Sequence, residues 1–182
     1  MKKNVLYILL VFLLPILAVL WWWGLFSQAT VTISERGGYH YAYLEAIGVY
    51  SKHGSKQNEV RFELKQQGIA PGAQVTLILT DPRTTPHDQL RAYTGYMIAA
   101  DATPKPPLKT ATIPMRRVVV AQIKAHPLFA YGKTYSALLK FSRQHNMLLH
   151  LPTLEINQAS VLSVEMPLDA QQQPSPPKPL IK

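Results

Sequence analysis

Six histidines, His40, His53, His87, His126, His145 and His150, are the residues whose chemistry most readily holds a metal. No two of them stand in an HxxxH or HxH spacing and the chain has no cysteine, so no metal site is expected. A glycine-rich phosphate loop and a serine nucleophile elbow are both missing, so no cofactor is expected either. Asp81-Pro82 and Arg91 read as structure. Asp81 caps a turn through its own backbone, and Arg91 follows closely enough in a hairpin to pair with it.

These side chains must be positioned by a chain of 182 residues, enough for one compact domain. Val5 to Phe26 holds no charged residue and ends near Trp21, Trp22 and Trp23, which suit a headgroup region. Its length matches the roughly 20 residues that span a hydrocarbon core, so residues 1–29 are expected to be a retained transmembrane anchor. The competing reading is a cleaved signal peptide, with Lys2-Lys3 as its basic start and Ser27-Gln28-Ala29 at its end. Lys2 and Lys3 precede the stretch, and only Arg36 follows closely. That asymmetry predicts a single-pass inner-membrane protein, N-terminus cytoplasmic and domain periplasmic; the reverse has the domain facing the cytosol. Formal net charge is +9. Beyond Lys2-Lys3 only Arg116-Arg117 are adjacent basic residues, so the charge reads as a solubilising surface and no nucleic-acid partner is expected.

Residues 30–168 carry two cycles of the same pattern. Thr30 to Ser34 and Tyr39 to Ile47 read as strands. Ser55 to Gln67 reads as a helix stopped by Gly68. Gln74 to Thr80, with Val75, Leu77 and Leu79 on one face, and Gln89 to Ala99 follow as strands. Ala102 to Ala111, with Pro104, Pro106 and Pro107, reads as a surface connector. The second cycle runs through a strand at Arg117 to Ala125 and a helix from His126-Pro127 to about Asn146. Strands at Thr153 to Asn157 and Ser160 to Met166 complete it. An α+β domain is predicted: two pseudo-symmetric strand-helix-strand-strand repeats, helices on one face of an antiparallel sheet, and a ligand-sized cleft between the halves. Residues 169–182, rich in glutamine and proline, are expected to be disordered.

Gly48-Val49-Tyr50, Asp81-Pro82, Pro86-His87-Asp88-Gln89-Leu90-Arg91 with Gly95, and Pro152-Thr153-Leu154-Glu155-Ile156 stand in order along the chain. Together they resemble the GyrI-like, or AraC-type effector-binding, domain, from Tyr39 to Leu168. An anchor followed directly by such a domain is similar in architecture to the testis-expressed reticulophagy receptors of animal endoplasmic reticulum. The related SOUL-type fold brings haem to mind, but no histidine here sits in a diagnostic context.

The resemblance implies that Glu155 lies in the cleft and contacts a hydrophobic ligand, cationic or neutral. A carboxylate walled by aromatic rings loses solvation, and a cation stacked on those rings restores the balance. Tyr50, Tyr93, Tyr96, Tyr131 and Tyr135 are the expected walls. Asn157 stands where the family often has tyrosine, which exchanges a ring for an amide on the face of Glu155. Two other functions stay open: a hydrolase with Glu155 as general base, and a protein-interaction module using the basic surface or the tail.

Overall fold

The computed structural model describes residues 2–48 and 53–169, with side chains described over 10–48 and 54–169. Three α-helices, α1 (Lys2–Trp22), α2 (His53–Gln66) and α3 (Pro127–Gln144), accompany eight strands. These are β1 (Thr30–Arg36), β2 (Tyr39–Ile47), β3 (Gln74–Ile78), β4 (Arg91–Met97), β5 (Lys109–Ile113), β6 (Arg116–Lys124), β7 (Thr153–Gln158) and β8 (Val161–Pro167). All strand pairs are antiparallel, in the order β1-β6-β8-β7-β3-β4-β2-β5. The fold is thus mixed α+β, and β2-α2-β3-β4 is followed by β6-α3-β7-β8 along the chain.

The two ends of that strand order meet. Arg36 lies opposite Arg116 and Tyr39 opposite Ile113, so one register runs through the break at Gly37-Gly38. β1 and β2 are therefore one long kinked strand, as are β5 and β6, and the sheet curls into a ring. Gly37 is required at the kink, because a Cβ there would sit 2.1 Å from the Pro114 carbonyl oxygen. The curl explains why Tyr41, Tyr43, Leu77 and Leu154 are buried on the face away from the helices. They fill the inside of the ring and pack on one another.

Both helices cover the outer face. α2 drives Val60 and Leu64 into a cluster with Ala42, Tyr96, Ile98 and Leu108. Its end is fixed by Gly68 at φ +71°, followed by the Ile69 N–H donating to the Leu64 carbonyl at 2.9 Å. α3 begins where expected: His126 caps it by accepting from the Leu128 N–H at 3.3 Å, and Pro127 takes the first helical position. Ala130 and Leu138 pack on Val119, Ala121, Ile123, Leu162 and Val164.

Three expectations are corrected. Among the described residues no helix is long and apolar enough to cross a membrane, which overturns the single-pass inner-membrane placement with cytoplasmic N-terminus and periplasmic domain. The surface connector gives up its last three residues, Lys109 to Ala111, to strand β5, whose mostly exposed side chains and upstream prolines hide its edge pairing with β2. Arg91 pairs with Glu45 rather than Asp81, since Glu45 lies on the neighbouring strand β2 beside Tyr93. The tail expected to be disordered lies, from residue 170, outside the described residues.

Candidate functional site

Side chains alternate along a strand, so one set of β3 residues enters the ring and the other faces the helices. Val75 and Leu77 go inward. Gln74, Thr76 and Ile78 go outward and form, with Thr153 and Glu155 of β7, the floor of a cleft of about 740 Å³. α3 supplies an apolar wall of Tyr131, Tyr135, Leu138 and Leu139, extended by Leu149, Leu151 and Met166. The opposite wall, at the start of α2, is small and polar, with Gly54 and Gln57. Asp81, Pro82 and Arg83 form part of the rim. The volume suits a small organic molecule.

Glu155 is the acid of this floor. Its Oε1 accepts a hydrogen bond from the Tyr135 hydroxyl at 2.5 Å. Burial pushes its carboxyl up to about 7, although the Tyr135 hydrogen bond pulls the other way. Tyr131 is pushed up to about 12, by burial first and by the nearby Glu155 charge second. A carboxyl poised near neutrality in an apolar cleft can hold a cation, with its proton as the competitor.

Of the residues singled out in the sequence, Glu155, Tyr131 and Tyr135 meet in the cleft. Tyr93 points inside the ring and stacks on Tyr43 with centroids 4.4 Å apart. Tyr96 lies under α2, where its hydroxyl accepts from Arg61 Nε at 3.1 Å. Asn157 follows Glu155 by two on β7, opposite Gln74, but does not line the cleft. Tyr50 lies outside the described residues. Gln57, Gln74, Thr76 and Thr153 were not foreseen. The two on β3 had a signal, since they alternate with the apolar face recognised in that strand. Gln57 had none, because a glutamine on a polar helix looks solvent-facing.

Gln57 is buried and ties α2 to the sheet. Its amide N–H donates to the Gly95 carbonyl, and its carbonyl accepts from the Thr94 hydroxyl. At the rim, Asp81 accepts from the Arg83 backbone at 2.9 Å and from its guanidinium at 2.8 Å, which lowers the Asp81 carboxyl. Among the described residues no cluster of three metal-ligating side chains occurs.

The crystal structure of the EcmrR C-terminal domain is similar to this chain, with a TM-score of 0.57, 14% identity, 80% of this chain and 99% of that one covered. The fold is GyrI-like. A cryo-EM structure of an EcmrR–DNA complex is also similar, with a TM-score of 0.55 and 12% identity, covering 79% of this chain and 58% of that one. An integron cassette protein from the mobile metagenome of Vibrio cholerae also matches, with a TM-score of 0.52 and 8% identity, covering 79% of this chain and 99% of the other. No family model matches the sequence. No curated protein matches it either.

Proposed function

We propose that this GyrI-like domain binds a small, largely apolar cation in the cleft between α2 and α3, with Glu155 as counter-charge. The observation that carries this reading is the Glu155 carboxyl on the cleft floor, held by Tyr135 and facing a wall of aromatic and aliphatic side chains. Desolvation makes the bare carboxylate costly there, and a cation relieves that cost while its apolar body covers the α3 wall. The effector-binding character of the fold supports the same reading.

The test is a fluorescence titration of the full chain with ethidium, a flat permanent cation. Saturable binding is expected, weakened about tenfold or more by Glu155→Gln, because a charge-assisted contact becomes a neutral one. A titration without saturation in the wild-type chain removes the proposal.

A further inference from the structure

The cleft floor carries a second feature beside Glu155, and its proton order can be worked out from its partners. Gly95 offers its carbonyl oxygen, an acceptor only, so the Gln57 NH2 must face it. The Gln57 carbonyl oxygen therefore takes the hydroxyl proton of Thr94. With that proton spent, the contact between Thr94 Oγ1 and Thr76 Oγ1, at 3.5 Å, can be made only by the Thr76 proton. Thr76 is left with lone pairs for the cleft.

Thr76 lies directly opposite Glu155 in the β3–β7 ladder, and both line the cleft floor. Residues so paired have Cβ atoms about 5 Å apart. The floor thus presents two acceptors side by side, the Thr76 hydroxyl oxygen and the Glu155 carboxylate, whose Oε1 already holds the Tyr135 proton. Two adjacent acceptors are satisfied by one group that carries at least two N–H bonds and a positive charge.

We infer that the cleft selects protonated primary or secondary amines over fully substituted onium cations, with Thr76 as the specificity-determining residue beside Glu155. This rests on the proposed binding reading and narrows it. A quaternary head can still meet the carboxylate charge, but it has no proton for Thr76 and its methyl groups hold it away from both oxygens. A primary ammonium donates to both at once.

A matched pair of probes tests this on the full chain: dansylcadaverine, which ends in a primary ammonium, and its N,N,N-trimethyl derivative. Their apolar bodies are identical. Dansylcadaverine is expected to bind about tenfold tighter, the worth of one hydrogen bond to a charged group. Thr76→Val should lower that ratio severalfold, leaving the part owed to the Glu155 contact, with the trimethyl probe still bound as in wild type, and Thr76→Ser should keep the full preference. Equal binding of both probes to the wild-type chain, weakened alike by Glu155→Gln, overturns the amine selectivity and leaves the cation cleft standing. Binding of neither probe overturns both. A ratio unchanged in Thr76→Val removes Thr76 from the role. The wild-type ratio decides on its own, so a Thr76→Val chain that fails to fold does not spare the inference.

Discussion

Burial favours the neutral form of the Glu155 carboxyl, and the proposed cation would favour its charged form. Its ordinary value is 4.5 and burial moves it to about 7. The native chain therefore binds a proton that the unfolded chain has already lost across that interval. Stability contributed by Glu155 is complete below pH 4.5 and is lost as pH rises through 7, an effect of roughly 3 kcal/mol at most. Urea unfolding at pH 5 and pH 8 should show this fall, and Glu155→Gln should reduce it. Glu165, buried inside the ring and also pushed up by desolvation, will leave a residual slope in the mutant. An unchanged fall in Glu155→Gln would contradict the desolvated floor. Tyr135→Phe removes the hydrogen bond that opposes the shift, so the Glu155 carboxyl should titrate at higher pH still, as read by carbon NMR of its side chain.

The elements were legible where a local pattern sufficed. Alternation over Val75, Leu77 and Leu79 placed one strand, and the His126-Pro127 start placed one helix. The apolar run Val118-Val119-Val120 marked another strand. Strand β5 was hidden because its Lys109 and Thr110 side chains are exposed and only Ile113 is buried, so the alternation shows at one end alone. The cleft residues on β3 were implied but not named, because polar side chains opposite an apolar face read as solvent-facing. Tyr93 and Tyr96 could not be sorted from Tyr131 and Tyr135 by type; Tyr93 faces the inside of the ring, and Tyr96 shares the outer face but is covered by α2. Two substitutions test the packing that shapes the cleft. A Cβ at Gly95 would sit 1.8 Å from the Ala42 carbonyl oxygen, so Gly95→Ala should cost about 3 kcal/mol, measured by chemical denaturation. Leu138, fully buried where α3 meets the sheet, should cost about 3 kcal/mol as Leu138→Ala.

On the scale of the whole molecule, the register that runs from β1 into β2 and from β5 into β6 curls the sheet into a ring. No sequence pattern announces that closure, because it depends on pairings between distant segments. Its consequence is a division of labour between two faces. The inside of the ring is filled by Tyr41, Tyr43, Leu77 and Leu154, while the outside leaves a cleft where α2 and α3 stand apart. Similarity to the EcmrR C-terminal domain extends over this whole body and carries the fold across, at an identity of 14%. The occupant of the cleft is a matter for solution measurement. Calorimetry of ethidium binding at pH 7, in two buffers of different ionisation heat, reads proton release on binding. About half a proton should leave per bound cation, as expected for a carboxyl near 7 that becomes fully ionised, and Glu155→Gln should release none. Binding with the same proton release in both chains, or no binding at all, would contradict the account.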